Sequence, residues 1–102
     1  MDTHKKIVGL KTLQRILARL RRQGRMIAFT NGCFDILHFG HVQYLEKAKG
    51  HNRVLIIGLN SDRSVRKIKG PQRPIVAQNA RAAVLAALAC VDLVGIMYAT
   101  SA

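Results

Sequence analysis

The sequence predicts an α/β protein with a parallel β-sheet flanked by helices. Strand-like and helix-like segments alternate along the 102 residues, and the segment RVLIIGLN at 53–60 is a continuous apolar run. Such a run is typical of a strand buried on both faces of a parallel sheet. A strand-helix-strand-helix-strand order joined by right-handed crossovers corresponds to half of a doubly wound sheet, and the length suits one globular domain.

The first predicted element is an amphipathic helix over residues 10–23. Its apolar residues recur at intervals of three and four and therefore share one face, namely Leu10, Leu13, Ile16, Leu17 and Leu20. Arg15, Arg19 and Arg22 have similar spacing on the opposite face, and Gly24 is a C-terminal stop signal. An arginine face of this kind is usually a solvated surface. Nucleic acid is the alternative partner, but no aromatic residues interleave with these arginines as single-strand binding would favour.

The remaining segments supply the strands and helices of the predicted sheet. In chain order they are a strand at 26–30, a helix at 40–49, a strand at 53–60, a loop at 61–74, a helix at 79–89 and a strand at 91–98. Gly70, Pro71 and Pro74 indicate the loop, and Asn79 is the predicted N-cap of the last helix. The strand at 26–30 is expected to form an open edge of the sheet.

The net charge is strongly positive, with 17 Lys and Arg against 5 Asp and Glu and a formal charge of +12. Such a charge attracts polyanions, either nucleic acid or phosphorylated small molecules, although a solvated helix face can account for part of it. Cys33 and Cys90 lack a paired-motif spacing, which favours free thiols in a reducing cytoplasm. No apolar run is long enough to span a bilayer, and the N-terminus lacks a signal-peptide pattern. We therefore expect a cytoplasmic protein without membrane contact.

Residues 30–45, TNGCFDILHFGHVQYL, combine small, amide and imidazole side chains at a strand-to-helix junction. In an open α/β sheet, ligands bind beyond the carboxyl ends of the strands, where Gly32 permits close approach of backbone N–H groups to an anion. The following helix directs its positive end to the same place, and His38 and His41 add side-chain donors. The segment therefore predicts a phosphate site. Zinc is the alternative, but His38, His41 and Cys33 offer only three ligands and no fourth is nearby, so we predict no protein-ligated metal.

The motif Gly32-Cys33-Phe34-Asp35, followed by His38-Phe39-Gly40-His41, resembles the signature of the cytidylyltransferase-type nucleotidyltransferases. The longer segments TNGCFDILHFGHVQYLEKAK, GLNSDRSVRKIKGPQRPI and RAAVLAALACVDLV resemble, more narrowly, the adenylyltransferases of bacterial ADP-heptose synthesis. The resemblance implies a Rossmann-like fold of the HxGH nucleotidyltransferase type, with three strands in this chain. We divide the chain into an N-terminal helical segment at 1–24 and a partial nucleotidyltransferase domain at 25–102, which together form one structural unit.

The resemblance also implies a reaction and a set of site residues. A sugar 1-phosphate, heptose 1-phosphate, attacks the α-phosphate of ATP and releases pyrophosphate in lipopolysaccharide precursor synthesis, with Mg²⁺ bound through the nucleotide. The implied catalytic residues are His38, His41 and Lys69. The residues implied to bind nucleotide or phosphate are Asn31, Gly32, Cys33, Phe34, Asp35, Gly40 and Arg81. The residues implied to bind the substrate are Asn60, Asp62 and Lys67.

Alternatives remain open for both the residues and the function. Lys67 and Lys69 could be solvated loop residues, Asp62 could cap a turn, and Arg81 could lie on a helix surface. The substrates could be CTP with glycerol phosphate or an amino-alcohol phosphate, or the chain could be an inactive truncated domain whose basic surface binds anions or nucleic acid. Related enzymes continue past the third strand to a Ser/Thr-rich motif, for which Thr100-Ser101 comes too early. The uncovered sheet edge favours a homodimer.

Overall fold

The computed structural model describes residues 2–98, and Thr100-Ser101 lie outside this part of the chain. The strands are β1 (Ile7–Val8), β2 (Met26–Gly32), β3 (Arg53–Asn60) and β4 (Leu93–Met97). The α-helices are α1 (Leu10–Arg22), α2 (Phe39–Lys49), α3 (Asp62–Lys69) and α4 (Gln78–Ala87), and a short 3₁₀ helix covers Thr3–Lys6. The strands form a single sheet in the order β1-β4-β3-β2, and each neighbouring pair is parallel. The predicted α/β class with a Rossmann-like parallel sheet is therefore confirmed.

The register of the sheet brings the carboxyl ends of its three longer strands together. Gly32 in β2 lies beside Leu59 in β3, and Asn60 at the end of β3 lies beside Met97 in β4. Because all these strands run in the same direction, the segments that follow them emerge at one edge of the sheet. The loop after β2 and the start of α3 consequently become neighbours, although they are separated by the whole of α2 and β3.

Helices cover both faces of β3, which explains its unbroken apolar sequence. Alternate residues Leu55, Ile57 and Leu59 join Leu45 of α2 and Leu85 of α4 in the larger core cluster. On the opposite face, the intervening residues Val54 and Ile56 pack with Leu20 of α1 in a smaller cluster. A strand buried on both sides cannot alternate polar and apolar residues, so it reads as a continuous hydrophobic run.

Two features of the sheet differ from the sequence prediction. The sheet has four strands among residues 2–98 where three were predicted, because Ile7–Val8 pairs with Val94 and Gly95 of β4. Two residues are too few to produce a recognisable strand pattern. β2 lies at the other end of the sheet order, as expected for an open edge.

The helices also correct three details of the sequence prediction. The predicted loop at 61–74 begins with α3, which Ser61 caps by accepting a hydrogen bond from Ser64 N at 3.2 Å. Asn79 lies inside α4, whose N-cap residue Ala77 makes no side-chain cap. Leu10 was predicted to belong to the apolar face of this helix, but it begins α1 with 69% of its surface exposed. None of the helices described between residues 2 and 98 is both long and apolar enough to cross a membrane.

Candidate active site

A cleft of about 610 Å³ lies at the carboxyl end of β2, between the loop that follows this strand, α2 and the end of α3. Of the predicted site residues, it brings together Asn31, Gly32, Cys33, Phe34, Asp35, His38, His41 and Lys69. Ile36, Tyr44 and Arg73 also line the cleft and were not singled out from the sequence. The other predicted site residues do not line it, namely Gly40, Asn60, Asp62, Lys67 and Arg81.

The two histidines cap the N-terminus of α2 reciprocally. His38 is the N-cap residue, and its Nδ1 accepts a hydrogen bond from Gly40 N at 3.1 Å. His41 Nδ1 accepts a hydrogen bond from His38 N at 3.2 Å, which completes a capping box with imidazoles in place of the usual hydroxyl and carboxylate. An Nδ1 that accepts a hydrogen bond carries no proton, so these bonds assign the proton of each neutral ring to Nε2. The available donor of each ring is therefore Nε2–H.

The electrostatics of this pair favour a neutral His41 before any anion binds. The centroids of the His38 and His41 rings are 4.1 Å apart. Burial lowers the pKa of His41 below its ordinary value of 6.5, and the charge that His38 can carry lowers it further. At neutral pH, His41 is thus a hydrogen-bond donor without a full positive charge. The positive end of α2, which begins at the same residues, adds a fixed partial charge of the sign that attracts phosphate.

The backbone after β2 turns sharply at Phe34, which has a positive φ of 46°. A non-glycine residue in this region is uncommon and generally marks a constrained turn. The turn brings the Phe34 ring over Gly32, where a Cβ would lie 3.0 Å from Phe34 Cε2. The same ring lies 5.8 Å from the His41 ring, measured between centroids. A side chain at position 32 would therefore force the Phe34 ring to shift from its place beside His41.

Asp35 fixes the segment that closes one side of the cleft. Its carboxylate accepts hydrogen bonds from Val76 N at 2.8 Å and Ile75 N at 2.9 Å, and Arg73 Nη1 contacts it at 3.2 Å. The two backbone N–H groups, and then Arg73, hold the pKa of Asp35 below its usual value. The carboxylate is thus ionised and engaged with the protein. It therefore positions the loop around Ile75 and Val76.

Arg81 joins the backbone just after β2 to the end of β3. Its Nη1 donates to the Cys33 carbonyl at 2.6 Å and to the Asn60 carbonyl at 2.8 Å. Nη2 forms an ion pair with Asp62 Oδ1 at 2.8 Å, and Nε donates to the Val76 carbonyl at 2.8 Å. Its side chain is completely buried, so the alternative that Arg81 lies on a helix surface is wrong. Arg81 instead fixes the backbone at Cys33, where the loop after β2 begins.

Asn60 and Asp62, which were predicted to bind substrate, belong to the same hydrogen-bonded cluster as Arg81. Asn60 is 6% exposed, and its Nδ2 donates to Ser64 Oγ at 3.3 Å. Asp62 is paired with Arg81, and its backbone N–H donates to Gln78 Oε1 at 2.8 Å. Ser61, and not Asp62, supplies the cap of α3. Asn60 and Asp62 therefore stabilise the junction between β3, α3 and α4.

The two lysines predicted as loop residues lie on the last turn of α3 and have different surroundings. Lys69 lines the cleft, whereas Lys67 is exposed and does not line it. Tyr44 was missed because its role depends on a tertiary contact, in which its hydroxyl bonds Thr30 Oγ1 at 3.0 Å. Arg73 was missed for the same reason, since its ion pair with Asp35 joins residues 38 positions apart.

A protein-ligated metal finds no support in the residues that the structure describes. Between residues 2 and 98 there is no group of three or more His, Cys, Asp or Glu side chains that could hold a metal ion. His38 and His41 each have one ring nitrogen engaged by a backbone N–H, and the Asp35 carboxylate accepts hydrogen bonds on both oxygens.

Comparison with known proteins identifies similar chains. The cytidylyltransferase-like family matches residues 29–98. The chain is 50% identical over 93 residues to the bifunctional protein HldE of Citrifermentans bemidjiense, and 54% identical over 93 residues to that of Wolinella succinogenes. These alignments cover 91% of this chain but 19% and 20% of the two proteins, so the chain spans about a fifth of the length of the curated relatives it matches.

A solved structure also resembles this fold. It is the lipopolysaccharide core biosynthesis protein from Thermoplasma volcanium GSS1, with a TM-score of 0.66 and 30% sequence identity. The match covers 74% of this chain and 60% of that chain. The similarity therefore extends over most of the sheet and helices described above and includes more than the histidine motif.

Proposed function

The chain belongs to the cytidylyltransferase-like family of nucleotidyltransferases, and we propose that it transfers AMP from ATP to a sugar 1-phosphate. The proposed acceptor is heptose 1-phosphate, and the product would enter lipopolysaccharide precursor synthesis. This choice is supported by the similarity to HldE proteins and to a lipopolysaccharide core biosynthesis protein. It also rests on the resemblance of the segments around Asn60 and Lys69 to the adenylyltransferases of ADP-heptose synthesis.

The observation that carries this proposal is the imidazole capping box at the start of α2. Each Nδ1 is held by a backbone N–H, which fixes the ring and leaves Nε2–H as its donor. The two rings lie 4.1 Å apart and line the same cleft. Two donors on neighbouring rings of one cleft can both contact one triphosphate. In our proposal, His38 and His41 bind it beside the backbone N–H groups of Cys33 and Phe34.

The proposed reaction needs no general base. A phosphate monoester has a second pKa of about 6 and is ionised at neutral pH. One of its oxygens forms a bond to the α-phosphorus of ATP, the bond to the bridging oxygen breaks, and pyrophosphate leaves with that electron pair. The obstacle is the repulsion between two anions, and preorganised donors and cations reduce it. One such donor can contribute about 3 kcal/mol to transition-state stabilisation.

In our proposal, Mg²⁺ enters this site bound to the phosphates of the nucleotide. It prefers oxygen ligands and commonly retains water while bound to substrate phosphates. Asp35 is the only carboxylate that lines the cleft within residues 2–98, and it is already engaged by Ile75, Val76 and Arg73. When bound through the phosphates, the cation would neutralise part of the charge that develops on pyrophosphate.

The proposed function is tested by pyrophosphate release from the full chain. ATP and CTP are each offered with heptose 1-phosphate, mannose 1-phosphate, glycerol 3-phosphate and phosphoethanolamine, while nucleotide binding is measured in parallel by calorimetry. We expect binding of ATP with Mg²⁺ and release with ATP and the heptose phosphate. Release only with CTP and a polyol or amino-alcohol phosphate would establish the alternative substrates. Absence of nucleotide binding, combined with salt-dependent retention on duplex DNA, would overturn the proposal in favour of a polyanion-binding domain.

A further inference from the structure

A second cleft of about 460 Å³ adjoins the main one, and Asp35, Lys69 and Arg73 line both. We propose that this adjoining cleft binds the phosphate group of the acceptor substrate, a phosphate monoester dianion, and that Arg73 is its principal ligand. The inference rests on the proposed function, since it assigns the second anion of the transfer reaction to a location. Ile68 is the remaining residue that lines the adjoining cleft.

Arg73 has the free donors that such a ligand requires. Its side chain is 45% exposed, and Nη1 contacts Asp35 Oδ2 at 3.2 Å. Between residues 2 and 98, this is the only hydrogen bond that its guanidinium group makes. Arg81 provides the contrast, because its completely buried guanidinium donates to four protein acceptors. Of these two arginines, Arg73 can offer a planar pair of N–H groups to an oxyanion.

The backbone around Arg73 is held in place by the same carboxylate that contacts its side chain. Asp35 accepts hydrogen bonds from Ile75 N and Val76 N, which fixes the chain two and three residues after Arg73. The ion pair then orients the guanidinium at the rim of both clefts. A preorganised arginine loses less conformational freedom when it binds than an unrestrained surface side chain does. Asp35 is consequently a positioning residue for Arg73.

Lys69 and Arg73 lie between the positions that we propose for the two reacting phosphates. Among the described residues, Lys69 and Arg73 are the only Lys or Arg side chains that line either cleft. His38 and His41 line the main cleft but not the adjoining one. With the triphosphate at the histidines and the monoester in the adjoining cleft, both cations would lie between the reacting phosphates. Cations in that position reduce the repulsion that opposes in-line attack.

The test uses the full chain with α,β-methylene-ATP and Mg²⁺, so that binding is observed without transfer. D-Mannose 1-phosphate is titrated as the probe and D-mannose as the neutral control, with amide shifts followed by NMR. We expect D-mannose 1-phosphate to shift the amides of residues 69–76, and D-mannose to leave them unchanged. Arg73→Gln should weaken binding of the sugar phosphate about tenfold or more, because it removes a charge-assisted hydrogen bond. Arg73→Lys, which keeps the charge, should recover part of that loss.

A matched control separates a local effect from a change in net charge. Arg66 is an exposed arginine of α3 that lines neither cleft, and Arg66→Gln should change the affinity for D-mannose 1-phosphate less than about twofold, as expected for a surface charge. Equal losses in Arg66→Gln and Arg73→Gln would overturn the proposal. So would a loss of affinity for α,β-methylene-ATP in Arg73→Gln that matches its loss for the sugar phosphate.

The same experiment distinguishes failure of this inference from failure of the proposed function. If the wild-type chain does not bind α,β-methylene-ATP, the nucleotidyltransferase proposal fails. In that case, D-mannose 1-phosphate is titrated without nucleotide. A loss of affinity in Arg73→Gln but not in Arg66→Gln supports a phosphate-monoester site, whereas no binding by the wild type overturns it. If Arg73→Gln does not fold, as seen in its amide spectrum, the comparison of Arg73→Lys with Arg66→Gln provides the decision.

Discussion

His38 has two separable roles, as a cap for α2 and as a proposed ligand for the triphosphate. His38→Ala removes the hydrogen bond from Gly40 N, which measures 3.1 Å. Loss of an N-cap side chain costs about 1 kcal/mol, and for a domain of this size that corresponds to roughly 4–8 °C in melting temperature. The variant should also lose a donor to the ligand. His38→Asn is the matched control, because its Oδ1 can accept from Gly40 N while Nε2–H is absent.

The effect on ligand binding can be worked out for a fixed nucleotide concentration. At 100 times the dissociation constant, a ligand stabilises the folded protein by about 2.7 kcal/mol. Loss of one hydrogen bond to a charged group weakens binding about tenfold or more. The ratio of concentration to dissociation constant then falls to about 10, and the stabilisation falls to about 1.4 kcal/mol. We expect this reduced stabilisation in both His38→Ala and His38→Asn.

The assay is thermal unfolding with and without ATP and Mg²⁺, combined with calorimetric titration. Without nucleotide, His38→Asn should unfold close to the wild-type temperature and His38→Ala several degrees lower. With nucleotide, both variants should show about half of the wild-type stabilisation. If His38→Asn binds ATP as tightly as the wild type, the imidazole is a cap only, and the proposed triphosphate contact is refuted. If His38→Asn is as unstable as His38→Ala, the capping argument is refuted.

Two further predictions concern a buried charge and a pH dependence. Arg81→Met should destabilise the fold by about 3 kcal/mol or more in urea unfolding, because it leaves Asp62 and buried carbonyl groups without their donor. The exposed Arg66→Met is its control, and equal stabilities of the two variants would contradict the buried network. Because the folded chain lowers the pKa of His41 below 6.5, the unfolded chain takes up that proton more readily. The free energy of unfolding should therefore fall as the pH drops through about 6.5. The fall should be smaller in His41→Gln, which can keep the capping box. An equal pH dependence in the wild type and His41→Gln would contradict the prediction.

The sequence predicted the strand-to-helix junction well because its signals are local. A buried strand, a glycine and a helix start follow one another within residues 26–41, and each depends on residues near it in the chain. The prediction of a phosphate site there also came from this neighbourhood, as did the candidate ligands His38 and His41. Their ligand roles remain predictions that the His38 variants test. Their capping contacts could not be foreseen, because imidazoles replace the hydroxyl and carboxylate that normally identify a capping box.

What the sequence by itself determined was the alternation of apolar strands and helices, since burial on one or both faces imposes a pattern on neighbouring residues. What only the tertiary structure decided were contacts between distant segments, where no local pattern exists. The bond from Arg81 to the Cys33 carbonyl spans 48 positions, and the pairing of Asp35 with Arg73 spans 38. The parallel sheet brings these residues into contact, because the carboxyl ends of its strands lie at one edge and each connecting helix runs back to the opposite edge. The candidate site residues could thus be named from the sequence, whereas the packing of the sheet determined which of them line the cleft.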